Sequence, residues 1–550
     1  MASGMKHVID KWLKRGTAFV TAPEQGVLAP YQRQRSGLNR LIRGTIGLAV
    51  LILASAVYGF YFVLLPPSFL LFMFAPIVLL GLLVIWALPD QETAPTEWMV
   101  RCFIGFLIAA ALWPNYLAIS LPGLPWISMR RLMLAPMCLL LLISLSTSAE
   151  FRRTMAATLS ALPALWKMFA VFVVIQFLSI VLADHPVDAV SDFINYQTLW
   201  TAIFFVSVYA FRDDRRVAHW FTLTAAIAAI LCVMGALEWR NERILWADHI
   251  PWFLQVDNDF LPGLLSGNFR GGKYRVATTF SHTLAFAEFM MLMSPIVIHG
   301  IFTAKTFVRR GFFVALDLAV FLAILSTQSR LGFVGFLLAH VLYLGLWAAK
   351  RWRTHKGTLI GPAITLAYPA LLVALCIAVV SIDALRIRVL GGGATAASNA
   401  GRQAQRDAWL PALAKSPPFG NGPRQGAEAL GYMVGGKPSI DNYYIWISLD
   451  YGVIGFTLYF GLIFFALYKS LRIGLNARDA TEDYAMVIAI ILTLFLFSKN
   501  VLSQEDNHYL PFLLMGMTVA LLARAKVRYG DSGTKSHQKF KQALPKFTNG

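Results

Sequence analysis

From residue 45 onward the chain repeats one pattern: about twenty consecutive apolar residues, then a short polar break. Residues 45–65 (TIGLAVLILASAVYGFYFVLL) and 68–88 (SFLLFMFAPIVLLGLLVIWAL) contain no charged side chain. A helix of about 20 residues crosses the roughly 30 Å hydrocarbon core of a bilayer. An open, non-helical backbone there would leave N–H and C=O groups unpaired. The pattern therefore dictates an all-α polytopic membrane protein. Composition agrees: 14% of the 550 residues are charged, against roughly 25% in soluble domains.

Fourteen spans are expected, near 45–65, 68–88, 99–119, 129–147, 164–183, 193–211, 217–238, 281–302, 311–326, 331–349, 359–381, 443–468, 483–500 and 507–523. An even number puts both termini on one side. Both ends are basic, with eight Lys/Arg in residues 1–43 and seven in 524–550. Basic residues gather in the cytoplasm, so both termini are expected there. The basic connections RDDRR (212–216) and KRWRTHK (350–356) then fall inside, and the acidic SQEDNH (503–508) outside. The organisation reads as a basic cytoplasmic segment (1–44), an accessory helix pair (45–90), a polytopic domain (91–524) and a basic cytoplasmic tail (525–550). Residues 1–43 are too polar for a signal peptide. Cys102, Cys138, Cys232 and Cys376 sit in apolar runs without metal-ligand spacing.

Two long external segments remain, about 239–280 and 382–442, and they hold twelve Lys/Arg. Long translocated segments tolerate such charges, but a basic external cavity for an anionic substrate also explains them. The net charge of +19 is explained by membrane orientation and calls for no nucleic acid. LSTQSRLGF (325–333) puts Ser329 and Arg330 in the external turn between two spans, clear of the midplane cost of about 2.5–3.5 kcal/mol.

Three further stretches share that face. RGGKYRVATTFSHTLAFAEF (270–289) supplies Arg270, Lys273 and Arg275, with His282 where the next helix begins. GRQAQRDAWLPALAKSPPFGNGPRQG (401–426) places Arg402, Arg406 and Trp409 at i, i+4 and i+7, on one face of a short helix. SIDNYYIWISLDYGVIGF (439–456) opens a long span with Asp441 and Asn442. Guanidinium groups bind phosphate oxygens in a bidentate manner, so their convergence points to a lipid-linked phosphate or diphosphate. Asp441 and His282 are the groups placed to accept a proton from a sugar hydroxyl; each also reads as an ordinary helix-start residue. VDNDF (256–260) resembles the metal-binding DxD of soluble sugar transferases; against that stands that such acidic pairs are common in loops.

Together these segments resemble the bacterial O-antigen ligase/O-antigen polymerase superfamily, which includes exopolysaccharide polymerases. The matching runs are TFSHTLAFAEF, LSTQSRLGFVGF, RQAQRDAWLPALAKSPPFGNG and IDNYYIWISLDYGVIGF, in that order across roughly residues 270–460. The resemblance implies an inner-membrane GT-C-type glycosyltransferase that works on its periplasmic side without metal or other cofactor. Its donor would be an undecaprenyl-diphosphate-linked oligosaccharide. Its acceptor would be another lipid-linked repeat unit or lipid A-core, and a chain-length regulator is a further expected partner. By position, Arg330, Arg402 and Arg406 would hold the diphosphate, Arg270 or Arg275 would assist, and Asn442, Trp409 and Ser329 would position loops or acceptor. The family commonly has His directly before the Asn of the last motif, where this chain has Asp441. That departure favours a polymerase over a ligase. A transporter or flippase of an anionic substrate is the alternative from another class.

Overall fold

The computed structural model describes residues 67–119, 127–256, 268–354, 359–383 and 396–529, with isolated positions at 45–60, 357, 386 and 389. The N-terminal segment, most of the run at 45–65, VDNDF beyond Val256 and the tail beyond Tyr529 lie outside the described residues. The chain divides into two units, residues 1–70 and 71–550; the packing described below is that of the second.

Twelve of the other expected spans fall on helices; the span expected at 99–119 is helical only as far as Leu112, and Leu117–Ile119 pairs as a strand. The described residues form seventeen α-helices. In chain order these are α1 (Pro67–Trp86), α2 (Thr96–Leu112), α3 (Met129–Thr147), α4 (Ala149–Leu159), α5 (Pro163–Ile180), α6 (Pro186–Tyr196), α7 (Ile203–Ala210), α8 (Asp214–Asn241), α9 (Thr283–Thr303), α10 (Phe307–Ser326), α11 (Arg330–Thr354), α12 (Ile360–Ser381), α13 (Ala396–Lys415), α14 (Gly426–Leu430), α15 (Tyr443–Leu475), α16 (Ala480–Lys499) and α17 (Tyr509–Tyr529). Among the described residues, nine are long and apolar enough to cross a membrane: α3, α5, α8, α9, α11, α12, α15, α16 and α17. The expected span at 193–211 is α6 and α7 joined through a π-helical turn, Gln197–Ala202. Short hydrogen-bonding side chains set the helix starts: Ser128, Asp213, Thr306, Asn442 and Asp479 each accept a backbone N–H from the first turn that follows.

Helix α9 is the centre of the bundle, 89% of its span buried, and packs against α8, α10, α11 and α16. Short connections make α9, α10 and α11 successive antiparallel neighbours, as they do α15, α16 and α17. The starts of α9, α11, α15 and α17 and the ends of α8, α10 and α16 therefore meet at one end of the bundle. We call that end the site face. Three small antiparallel sheets decorate it: β1 (Leu117–Ile119) with β2 (Ile127–Ser128) and β3 (Gln255–Val256), β4 (Phe269–Arg270) with β5 (Lys273–Tyr274), and β6 (Met433–Val434) with β7 (Lys437–Pro438).

Helix α15 is broken where the sequence reads DYG. Gly452 adopts φ +66° inside it. A helix interrupted there releases the carbonyls of Leu449 and Asp450 from their intrahelical partners, and the 417–426 segment takes them. The backbone N–H of Asn421 donates to Leu449 O at 2.9 Å, and that of Gly422 to Asp450 O at 3.0 Å. The crossing is backbone on backbone. A Cβ on Gly452 would stand 2.0 Å from Pro418 O, and one on Gly420 (φ +82°) 2.2 Å from Asp450 O. The glycines of PPFGNG and DYG are thus two halves of one contact.

Lys499 ends α16 and is wholly buried. Its Nζ lies 2.9 Å from Glu288 Oε1, both side chains fully enclosed. Glu288 also accepts from Ser498 Oγ and, at 3.0 Å, from Asn507 Nδ2 in the α16–α17 loop. Removing one member of a buried pair strands the other charge, which costs about 3–5 kcal/mol, whereas an apolar replacement of both is often neutral. Glu288→Ala or Lys499→Met alone should therefore lower the unfolding temperature sharply, and Glu288→Met with Lys499→Met should restore most of it, as read by thermal melts in detergent.

Candidate active site

A cavity of about 600 Å³ opens on the site face, within the usual range of ligand pockets. Its lining brings together Arg270, Arg275, His282, Ser329, Arg330, Arg402, Arg406 and Asp441 from four separate stretches of chain. Leu284, Leu331, Val334, Phe497 and Val501 give it an apolar flank.

Each cation is placed by local geometry. Gln328 takes φ +54°, turning the chain between α10 and α11. Ser329 Oγ then accepts the Gly332 N–H at 3.1 Å, capping the helix that Arg330 begins. Arg330 Nη2 donates to Asn399 Oδ1 of α13 at 2.9 Å. Arg275 follows the β4–β5 hairpin, and its Nε donates to Thr327 O at 3.0 Å. Burial and the charge of Arg270 push its pKa down to about 10, so it stays cationic at neutral pH. Arg402 and Arg406 lie one turn apart on α13, as their spacing predicts. Arg406 Nη2 donates to Gln403 Oε1 at 2.6 Å.

Among the described residues, Asp441 is the single carboxylate of this lining. Its Oδ2 stands 3.5 Å from Arg402 Nε, an atom that makes no hydrogen bond among the described residues. Its backbone N–H donates to the buried Gln405 Oε1 at 2.9 Å. Burial raises the carboxyl pKa, and the Arg402 charge opposes that rise. Burial thus makes the group more basic than an exposed aspartate.

His282 caps α9. The Leu284 N–H donates to its Nδ1 at 3.0 Å, so the neutral ring carries its proton on Nε2 and presents a donor. Burial and Arg275 push its pKa down to about 4.

Asn442 and Trp409 do not line the cavity. Asn442 Oδ1 caps α15 through the Tyr444 N–H at 2.8 Å, and its Nδ2 donates to Asn500 Oδ1 at 3.1 Å. Trp409 Nε1 donates to Ser448 Oγ at 2.8 Å, fastening α13 across α15. The Arg402–Trp409 stripe therefore faces the bundle, with its arginines over the cavity and its indole beyond.

Two carboxylates that carry no sequence signal hold this arrangement in place. Glu238, near the end of α8, accepts the N–H groups of Ala277 and Thr278 at 2.9 and 2.8 Å and the Tyr274 hydroxyl at 3.0 Å. That fixes the strand leading out of Arg275. Asp450 accepts the N–H groups of Arg424 and Gly426, both at 2.8 Å, and Trp446 Nε1 at 2.9 Å. A lone acidic residue in an apolar run has no local pattern that reveals such partners.

Residues 315–460 match the family model described as O-antigen ligase. The match spans the TQSR turn, α11 to α14 and the kink at Gly452; the β4–β5 hairpin and His282 precede it. No curated protein is significantly similar to the chain in sequence.

The cap role of His282 has a measurable signature. Losing a helix N-cap costs about 1 kcal/mol, and Asn is among the best caps, so His282→Ala should destabilise while His282→Asn holds. The folded ring resists protonation down to about pH 4, whereas its ordinary value is 6.5. The unfolded chain thus binds the extra proton between those values. This contribution is complete above pH 6.5 and is lost as pH falls toward 4, and thermal melts of His282→Asn should lack that part of the pH dependence.

Proposed function

We propose that the chain is a member of the O-antigen ligase/polymerase superfamily, whose ligase model residues 315–460 match, and that it transfers a glycan from an undecaprenyl-diphosphate carrier to an acceptor sugar in the 600 Å³ cavity. The observation that carries this reading is the set of five guanidinium groups around one carboxylate. Such a lining attracts a multiply charged anion, and Arg geometry suits phosphate oxygens. The apolar flank from Leu331 to Val501 suits the first units of a polyprenyl chain.

In this mechanism an acceptor hydroxyl oxygen forms a bond to the anomeric carbon of the donor glycan. The bond from that carbon to the diphosphate oxygen breaks, and undecaprenyl diphosphate leaves with the electron pair. Arg330, Arg402 and Arg406, helped by Arg270 and Arg275, take up the charge that develops on it. Asp441 receives the proton of the acceptor hydroxyl, its burial making it a better base than an exposed aspartate. His282 donates through Nε2–H and is not the base, because Nδ1 is occupied by the Leu284 N–H. Diphosphate is a good leaving group, so position and charge account for most of the catalysis.

Asp441, standing where the family commonly has His, favours polymerisation of exopolysaccharide or O-antigen repeat units over ligation to lipid A-core. The basic termini and basic alternate loops support an inner-membrane protein with both ends cytoplasmic and the cavity facing the periplasm.

Loss of one preorganised charge donor typically costs about 10²–10³ in rate. Arg330→Ala and Arg402→Ala, expressed in a deletion strain of the producing organism, should each abolish surface or secreted polymer at unchanged protein level. Normal polymer from both variants would refute the proposal.

A further inference from the structure

A second cavity, about 310 Å³, shares the site face. The turn between α16 and α17 contributes to both cavities. Gln504 lines the first cavity and the next residue, Glu505, lines the second. Asp506 anchors this turn on two sides. It accepts from Ser281 Oγ at 2.6 Å, beside His282, and from Asn115 Nδ2 at 3.3 Å, on the wall of the second cavity.

The chemistry of the second cavity differs from that of the first. Asp192 and Glu505 face Arg130, Arg131 and Arg424, with Asn195 and Tyr196 between them. The carboxylates are partly engaged: Asp192 Oδ1 lies 3.6 Å from Arg424 Nη1, and the Tyr196 hydroxyl donates to Glu505 Oε1 at 2.7 Å. Arg131 Nη2 donates to Asn195 Oδ1 at 3.4 Å. Arg424 is held at φ +60°, a left-handed conformation unusual for a residue with a side chain. Its N–H bond to buried Asp450 fixes it there, and strain of this sort persists where the surroundings over-determine it.

An apolar ligand would leave these groups unpaired, and a simple anion would meet two carboxylates. Sugar hydroxyls both donate and accept, so they match carboxylates and guanidiniums set side by side. With Arg130 and Arg131, adjacent at the start of α3, the lining has three guanidinium groups against two carboxylates, an excess that suits a carboxylate substituent.

We propose that this second cavity binds a saccharide bearing a carboxylate, and that this saccharide is the acceptor of the transfer reaction. The acceptor role rests on the function proposed above; the binding itself does not. Asp192, Glu505 and Asn195 take the hydroxyls, and Arg130 and Arg131 take the carboxylate. The reacting hydroxyl reaches Asp441 past the Gln504–Asp506 turn.

The test is saturation-transfer NMR on the full chain in nanodiscs, without donor lipid, using cellobiouronic acid and neutral cellobiose as probes. Wild type should bind the acidic disaccharide at least tenfold more tightly than cellobiose. Arg130→Gln and Arg131→Gln should each remove that preference, and Arg330→Ala should leave it intact. Equal binding of the two probes by wild type, no binding of the acidic one, or loss of the preference in Arg330→Ala would overturn the proposal. The wild-type comparison needs no variant to fold. Because donor lipid is absent, a failure here leaves the diphosphate reading standing, and normal polymer from the Arg330 and Arg402 variants would leave this site standing.

Discussion

Three carboxylates buried within spanning helices, Glu238, Glu288 and Asp450, constrain everything on the site face. Enclosing an ionised carboxylate costs several kcal/mol unless it is paired and hydrogen-bonded. The helices that carry them cannot supply enough donors, so the donors come from connecting segments. Glu238 draws in the chain after Arg275, Glu288 the Lys499 ammonium and the Asn507 loop, and Asp450 the 424–426 turn. Hydrogen bonds to charged groups contribute roughly 1.5–3 kcal/mol each. Long polar connections, which would otherwise be mobile, are thereby fastened to a rigid bundle.

That fastening gives an arginine-rich cavity its meaning. Five like charges around one space repel each other while it is empty, and the lowered pKa values of Arg275 and Arg402 record the repulsion and the burial together. A loose loop would relieve the strain by turning its arginines to water. On the reading proposed above, a bound diphosphate supplies that relief. Preorganised charge of this kind needs no rearrangement at the moment of reaction. Asp441 sits beside Arg402, its pKa raised by burial and the rise opposed by the Arg402 charge.

The bundle was legible in the sequence because membrane helices announce themselves by length and lack of charge: 129–147 and 360–381 were read almost to the residue. The arginines of the cavity were legible for a related reason, since charged residues between hydrocarbon runs have few places to go. The two roles considered for His282 were separated only by the hydrogen bond at Nδ1. Trp409 was read on the arginine stripe, which is so, but its indole belongs to the α13–α15 contact. What remained hidden were the long-range pairings. Glu238 meets its N–H donors 39 and 40 residues away, and Glu288 meets Asn507 219 residues away. The second cavity draws its walls from α3, α6, Arg424 and Glu505, with no local motif. The close crossing of Gly420 and Gly452 explains two motifs that had seemed independent.

The central claim is that the cavity recognises a diphosphate through converging guanidinium groups, and calorimetry with a short-chain carrier analogue tests it directly. Titrated into the full chain in nanodiscs, farnesyl diphosphate should bind at least tenfold more tightly than farnesyl monophosphate. Its affinity should fall as salt is raised, and farnesol should give no saturable heat. Equal affinities for farnesyl diphosphate and farnesol, insensitive to salt, would contradict the account.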